Sequence, residues 1–318
     1  MLSPHSSPFS AKIAADVDVA LAGRRRAGGR GGTTSRALAK GDGWSVLDVI
    51  CTSGPQDHTY EERHSAVSVA VVVSGTFQYR TTVGSALLTP GSVLLGSTGR
   101  CFECGHDHGE GDRCVSFRYS QEFFERLMAD AGIGNVASHG FAVPRLPAIR
   151  ESAALVADVH RGVLGLDIAW EELAIHLATQ IARLSERGDA GVPRDQPGAE
   201  RRVTGIVREI ERFSARDWSL ARMAAQARLS PFHFLRTFER LTGLTPHQYV
   251  RRARLRDAAL RLAAEDARVI DVAFDSGFAD LSAFNRAFRA EFSVAPRAFR
   301  AARRVSPRSQ SQRDQAGP

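Results

Sequence analysis

Two nine-residue stretches decide the fold of the C-terminal third of this chain: SPFHFLRTF at residues 230–238 and DLSAFNRAF at residues 280–288. Both have phenylalanine at the fifth and ninth positions and arginine at the seventh, and they are offset by 50 residues. Upstream, the pattern Leu-x-x-Met-Ala at 220–224 is matched by Val-x-x-Val-Ala at 269–273. Since the match extends over two segments in each copy, it predicts a duplicated structural unit.

Each copy has the pattern of a short helix, a tight turn and a capped second helix. Ser230 and Asp280 stand where an N-cap oxygen would accept a hydrogen bond from an exposed amide of the second helix. Pro231 suits the first helical position, because the amide proton that it lacks is not needed there. Ala224 and Ala273 are small where the two helices must approach closely. These features predict two helix-turn-helix units.

The helical period separates the buried side of each second helix from its outward side. It predicts buried stripes of Phe234, Phe238 and Leu241 in the first copy and of Phe284, Phe288 and Phe292 in the second. Arg236 and Arg286 lie opposite these stripes, where a guanidinium group can bind guanine O6 and N7. The outward and flanking residues predicted to face DNA are Phe232, His233, Leu235, Arg236, Arg240, Leu281, Ser282, Asn285 and Arg286.

The segment between the two units predicts a spacing helix. Thr245 is placed to cap a helix from Pro246 to about Ala264, and 18 or so residues give a rod of roughly 27 Å. Successive major grooves on one side of B-DNA are about 34 Å apart, so one chain can engage two adjacent grooves. The alternative is a helical bundle with solvated arginines, which the duplicated and capped pattern disfavours.

The distribution of charge supports a polyanionic partner. The whole chain has a net charge of +7, whereas residues 201–304 hold 21 arginines, no lysine and 11 acidic residues. This segment is therefore at +10 and the rest of the chain at −3, which favours double-stranded DNA as the partner of one half only. Genome composition also explains a preference for arginine over lysine, so the charge alone does not decide the function.

Residues 203–301 resemble the AraC/XylS family of bacterial transcription regulators. The resemblance rests on the repeated motifs above, on Thr242-Gly243 and Gly277-Phe278, and on Pro296-x-x-Phe299-Arg300. It implies base contacts from Phe232, Leu235 and Arg236 in the first unit and from Leu281, Ser282, Asn285 and Arg286 in the second. It also implies RNA polymerase as a partner. This chain has Ser293 and Ala295 where the family usually has glycine and serine or threonine, and Leu235 where a polar residue is usual.

The N-terminal half has a different pattern. From Trp44 to about Tyr119, short β-branched and aromatic runs alternate with turns, which is typical of an antiparallel sandwich or barrel. The family resemblance implies a cupin-like β-barrel that responds to a small-molecule effector, followed by helices. The sequence thus predicts an α+β protein of two domains, with a cupin-like antiparallel β-barrel plus helices and then an all-α domain with two helix-turn-helix units joined by a linker helix.

The predicted organisation has six parts. They are a disordered arm (1–43), a cupin-like sensor domain (44–147), a helical dimerisation region (148–187), a linker (188–200), the double helix-turn-helix domain (201–304) and a disordered tail (305–318). The dimerisation region has an apolar stripe at helical spacing, formed by Leu173, Leu177, Ile181 and Leu184. Such a stripe must be buried against its own domain or against a second copy, and a homodimer is the prediction.

The least ordinary local sequence is CFECGHDHGEGDRC at residues 101–114. Thiolates and imidazoles are ligands of zinc and other transition metals, so Cys104, His106, His108 and Cys114 are candidate metal ligands. An extended chain would place the first three on one face. The glycines favour a bending loop instead, and buried structural thiols or a redox-sensing thiol are the alternatives.

Several function classes are disfavoured by the sequence. No run of 18 or more apolar residues predicts a membrane span. Four cysteines in 318 residues do not make a disulfide scaffold, so the reducing cytoplasm is the predicted location. We expect a regulator without catalytic activity. The alternative is a cupin metalloenzyme, such as an oxygenase, fused to a DNA-binding domain.

Overall fold

The computed structural model describes residues 8–134, 136, 139–186 and 197–303. The predicted tail (305–318) and most of the predicted linker lie outside these residues. Ten strands form the N-terminal half: β1 Thr33–Gly41, β2 Trp44–Cys51, β3 Glu62–Arg63, β4 Val67–Gly75, β5 Phe77–Thr81, β6 Gly84–Leu88, β7 Val93–Gly96, β8 Cys101–Gly105, β9 Asp112–Tyr119 and β10 Arg145–Leu146.

The strands make two antiparallel sheets that pack face to face. One sheet has the order β1-β2-β9-β4-β7-β10 and the other the order β3-β8-β5-β6. Residues of both sheets, among them Val72 and Leu94 of the first and Phe77 and Leu88 of the second, form one apolar cluster between them. Among the described strands, no backbone ladder pairs a strand of one sheet with a strand of the other, so the closed barrel that the cupin resemblance implied is not shown.

The prediction of a disordered arm over residues 1–43 is wrong for its described part. Residues Pro8–Ala27 form helix α1, and β1 follows as an edge strand of the larger sheet. Ile13, Val17 and Leu21, spaced four residues apart, are buried. A helix that buries such a stripe is stabilised by tertiary packing despite a weakly apolar composition.

Helices cover the outer face of the larger sheet. They are α2 Gln121–Asp130, a 3-10 turn at Arg150–Ser152, α3 Ala153–Val163 and α4 Trp170–Ser185. The burial of the apolar stripe of α4 within its own domain contradicts the predicted use of this stripe as a dimer interface. Leu173, Leu177 and Ile181 are buried in the core of their own domain, and Leu184 packs against the same cluster. The stripe is therefore unavailable to a second copy.

The C-terminal part is all helical, as predicted. Its helices are α5 Pro197–Arg212, α6 Leu220–Gln226, α7 Pro231–Thr242, α8 Pro246–Ala264, α9 Val269–Asp275, α10 Leu281–Phe292 and α11 Pro296–Arg303. Within the described ranges, no helix has both the length and the apolar composition needed to cross a membrane.

The two halves are packed together, although a linker (188–200) is predicted between them. Leu87 and Ala148 belong to the core of the first helix-turn-helix unit, and Ala157 to that of the second. Conversely, Leu260 of α8 lies in the core that covers the larger sheet. An ion pair of 2.8 Å between Arg303 and Asp158 adds to this packing. A proline- and glycine-rich connection permits separation, but apolar surface on both sides favours docking.

Candidate nucleic-acid interface

The first helix-turn-helix unit consists of α6 and α7. The Ser230 hydroxyl caps α7 by accepting a hydrogen bond from the His233 amide at 3.3 Å. At the other end Gly243 adopts a left-handed conformation (φ 75°), and its amide donates to the Glu239 carbonyl. Phe234, Phe238 and Leu241 are buried, as predicted. The two ends of α7 are therefore fixed by its own sequence, and its inward face is fixed by the core.

The second unit, α9 and α10, repeats this arrangement. The Asp280 carboxylate accepts from the Ala283 amide at 2.6 Å. Phe284, Phe288 and Phe292 are buried, which confirms the second predicted stripe. Ser293 takes the place of Gly243 and adopts φ 62°. The spacing helix α8 runs from Pro246 to Ala264 and is capped by Thr245, as the sequence predicted, and Gln248 completes a capping box.

Most predicted base-reading residues lie on the outward faces of α7 and α10. Phe232 is 70% exposed, and the Arg236 guanidinium lies 5.9 Å from the centre of its ring. Ser282, Asn285 and Arg286 are exposed on α10. His233, Leu235 and Leu281 are half-buried at the edges of these faces. The exposed arginines at 236 and 286 thus occupy equivalent positions in the two units.

Arg240 lies in a different environment from these residues. It forms a 3.0 Å ion pair with Glu200 of α5. It also lines a cavity of about 100 Å³ between α7 and the smaller sheet, together with Arg80 and the half-buried Arg145. The prediction that Arg240 flanks the reading face did not foresee this contact with the N-terminal half.

An open groove of about 820 Å³ runs beside α10. It is lined by Leu281 and Asn285 of the predicted reading face and by Val269 and Ile270 of α9. Its cationic rim is formed by Arg268, Arg289, Arg297 and Arg300. Arginines around apolar and amide side chains suit a surface that binds phosphates while presenting residues to base edges.

Not all of the positive charge found in the sequence is available to a polyanion. Several arginines of α8 are held in ion pairs within the domain: Arg252 with Glu291, Arg256 with Glu211, and Arg261 with Glu265 and Asp275. Arg254 donates to the carbonyls of Ser214 and Arg216. The spacing helix thus uses much of its charge to hold the two units in place.

The Cys/His run of residues 101–114 is divided by the fold. Strand β8 ends at Gly105, and a turn follows up to β9, so Cys104, His106 and His108 do not share an extended face. Cys104 is half-buried against the cluster between the sheets. The Cys114 thiol is buried and donates to Asp112 Oδ1 at 3.4 Å, while His108 Nδ1 is buried with no hydrogen-bond partner among the described residues. The four predicted ligands are not brought together as one set.

The structure instead groups His106 with two residues that the sequence had not singled out. One ligand atom each of Cys51, His106 and Asp112 lie within 4.8 Å of one another. Burial by itself would lower the pKa of His106, but hydrogen bonds to Asp112 and Cys51 raise it to about 10. Burial would raise the pKa of the Cys51 thiol, yet its hydrogen bond with His106 leaves that pKa lowered. Cys51 faces Asp112 only because β2 pairs with β9 in that register.

The double helix-turn-helix geometry and its exposed arginines define a DNA-binding protein. A family profile described as a helix-turn-helix domain matches residues 223–302. The transcriptional activator RhaS of Klebsiella pneumoniae is 26% identical over an alignment of 262 residues, and the match covers 76% of this chain and 87% of that protein. PqrA of Proteus vulgaris, described as a probable transcription factor, is 32% identical over 31% of this chain and 82% of its own length.

A third relative matches over the C-terminal part only. The transcriptional regulator MtrA of Neisseria gonorrhoeae is 29% identical over 97 residues, so the alignment spans 30% of this chain and about a third (32%) of MtrA. The chain belongs to the AraC/XylS family of helix-turn-helix transcription regulators.

Proposed function

We propose that this regulator recognises a specific DNA sequence by placing α7 and α10 in adjacent major grooves. The residues proposed to contact bases are Phe232, His233, Leu235, Arg236, Leu281, Ser282, Asn285 and Arg286. Arg240 is left out because its guanidinium is paired with Glu200. The observation that carries the proposal is the exposure of Arg236 and Arg286 at equivalent positions of two capped helices.

The length of helix α8, which connects the two helix-turn-helix units, supports engagement of one face of the duplex. Helix α8 has 19 residues. At about 1.5 Å per residue this length is close to 28 Å, which comes near the groove repeat of about 34 Å. The groove beside α10 supplies arginines for the phosphates that flank its reading face.

The N-terminal half is proposed to control this domain through the C-terminal end of α7. Arg145 donates to the Thr242 carbonyl at 3.2 Å. Pro147 packs closely on Gly243, so that a Cβ on residue 243 would lie 2.6 Å from the Pro147 ring. A small molecule or a metal ion that shifts these N-terminal residues would therefore move a recognition helix. The proposal includes that the β-sandwich is a sensor domain of the cupin type.

The remaining partners stay predictions. A homodimer requires a surface other than the buried stripe of α4. Contact with RNA polymerase and action in the cytoplasm are expected from the family to which the chain belongs.

The experiment is a comparison of Arg236→Ala and Arg286→Ala on DNA selected from a random pool by the full-length protein. Each variant is measured at fixed salt on the selected site, on single-base variants of it and on scrambled DNA. We expect each substitution to remove about 1–3 kcal/mol of discrimination at one base position. Equal losses on selected and scrambled DNA would contradict base reading, because they would assign these arginines to phosphates.

Arg289→Ala is the matched control on the same helix. Arg289 is exposed on the rim of the groove. We expect its loss to weaken binding to both DNAs alike and to reduce the salt dependence by about one counterion.

A further inference from the structure

Cys51, His106 and Asp112 come from three places in the N-terminal half. Cys51 ends β2 and Asp112 begins β9, and these residues are direct cross-strand partners in the larger sheet. His106 follows the last residue of β8, in the smaller sheet. Neighbouring residues on paired strands point to the same face of a sheet, so the register fixes the thiol beside the carboxylate. The cluster therefore joins the two sheets at one edge of the sandwich.

Both carboxylate oxygens of Asp112 are engaged. Oδ2 lies 2.7 Å from His106 Nε2, and Oδ1 accepts a hydrogen bond from the Cys114 thiol. His106 and Asp112 are buried, whereas Cys51 is half-buried and so gives access from the surface. Outer groups that orient a ligating carboxylate are a regular part of metal sites, and Cys114 is placed to do this.

The spacing of the three groups fits a small borderline metal ion. With bonds of about 2.0–2.3 Å, a tetrahedral zinc ion places its ligand atoms roughly 3.3–3.6 Å apart. The ligand atoms lie within 4.8 Å of one another, and His106 Nε2 lies 2.7 Å from Asp112 Oδ2. Binding of the ion would therefore require the His106–Asp112 pair to open by about 0.6 Å.

We infer that Cys51, His106 and Asp112 bind one divalent transition-metal ion of the zinc type. A thiolate, an imidazole and a carboxylate are donors that zinc accepts together, whereas magnesium and calcium prefer oxygen ligands. Three protein ligands leave a fourth position for water or a small ligand. The site differs from the set that the sequence predicted, because only His106 is common to both.

The turn between two of these ligands touches the DNA-binding half. Arg208 of α5 donates to the Glu110 carbonyl at 3.0 Å. Its guanidinium also packs against Gly109, where a Cβ would clash with it. Movement of His106 and Asp112 toward an ion would shift the turn that Arg208 holds. Coupling of the metal to DNA affinity rests on the proposed function, whereas the metal site itself does not.

The test is a titration of the full-length protein, purified without a histidine tag and stripped with a chelator. Zn²⁺ is followed by calorimetry, and Co²⁺ is followed by its thiolate charge-transfer absorption. We expect one ion per chain. Cys51→Ser should abolish the charge-transfer band. Loss of a residue that only orients a metal ligand weakens binding by about 10–100-fold. Cys51→Ser and Asp112→Asn each remove a ligand, so each should weaken Zn²⁺ binding by more than this factor.

Cys101→Ser and His108→Gln are the matched controls, because both residues lie outside the group. They should bind as the wild type does, and circular dichroism checks that each variant is folded. Wild-type protein that takes up neither ion would overturn the site, as would a folded Cys51→Ser that binds Zn²⁺ with unchanged affinity.

Selected DNA is then titrated with and without Zn²⁺. Metal binding that leaves DNA affinity unchanged contradicts the coupling alone, whereas failure to bind any selected DNA contradicts the proposed function and leaves the metal result standing.

Discussion

Arg113 and Asp48 form a buried ion pair between neighbouring strands of the larger sheet. The Arg113 guanidinium donates to both oxygens of Asp48 at 2.9 and 2.8 Å, and it also reaches Asp16 on α1 at 2.6 Å. Burial by itself would raise the pKa of Asp48, but the hydrogen bonds and charges of Arg113 and, to a smaller extent, of Arg36 together lower it. One guanidinium thus holds two strands and the N-terminal helix together.

Replacing Arg113 by methionine should destabilise the protein by about 3–5 kcal/mol, because the buried Asp48 would keep only the exposed Arg36 as a charged partner. Arg36→Met is the matched control, since Arg36 pairs with the same carboxylate but is 69% exposed. Its loss should cost no more than about 1 kcal/mol. Urea unfolding at neutral pH measures the loss of folding stability in both variants. Equal losses would contradict the larger contribution expected of the buried Arg113.

The same pair makes stability depend on pH in a defined direction. A carboxyl group whose pKa is lowered in the folded state contributes stability above its unfolded pKa and loses it as the pH falls through the folded value. The unfolded pKa of aspartate is about 3.9. We expect the difference between wild type and Arg113→Met to shrink as the pH falls toward and below about 4, since protonation removes the buried charge of Asp48 that Arg113 no longer compensates in the variant.

At the scale of helices, the two recognition helices differ in how they end. Gly243 and Ser293 occupy equivalent C-cap positions with φ of 75° and 62°. Glycine adopts this left-handed conformation freely, whereas serine has a Cβ that crowds the backbone. The departure from the family pattern noted in the sequence is therefore a site of backbone strain at the end of α10.

Ser293→Gly should stabilise the protein. Removing a left-handed non-glycine residue gains about 1–2 kcal/mol, and the greater freedom of glycine in the unfolded chain opposes it by about 0.4–1 kcal/mol. The net expectation is a gain of about 0.5–1 kcal/mol in urea or thermal unfolding. Ser293→Ala keeps the Cβ and should give no gain. If alanine stabilised as much as glycine, backbone strain would not be the cause.

At the scale of the whole molecule, the buried stripe of α4 decides which surfaces are available. Leu177 is fully buried within the chain, while His176 beside it is exposed. Leu177→Ala should therefore cost about 2–5 kcal/mol of folding stability through the cavity it leaves. Sedimentation at equal concentrations should show the same state of association for folded wild type and variant.

His176→Ala is the control for this measurement, and a change within about 0.5 kcal/mol is expected at that exposed position. If Leu177→Ala unfolded like the wild type but associated less, the stripe would instead be a subunit interface.

Short-range patterns predicted the C-terminal domain in detail. The caps at Ser230 and Asp280, the buried phenylalanines and the bounds of α8 were all readable, because caps and helical faces depend on residues three to four positions apart. The apolar spacing of Ile13, Val17 and Leu21 was equally local, and attention to it would have predicted α1. Here the signal was present but was outweighed by a composition rich in small and polar residues.

The sequence by itself determined the two helix-turn-helix units, the buried and outward faces of their second helices and the family, since each depends on patterns within a few helical turns. Tertiary structure alone decided that the stripe of α4 faces inward and that Arg240 turns to Glu200. It also placed Cys51 beside Asp112, although 60 residues separate them in the chain. Such neighbours are set by strand register and by the docking of the two halves, and these follow from the burial of surfaces over the whole molecule and not from any local period.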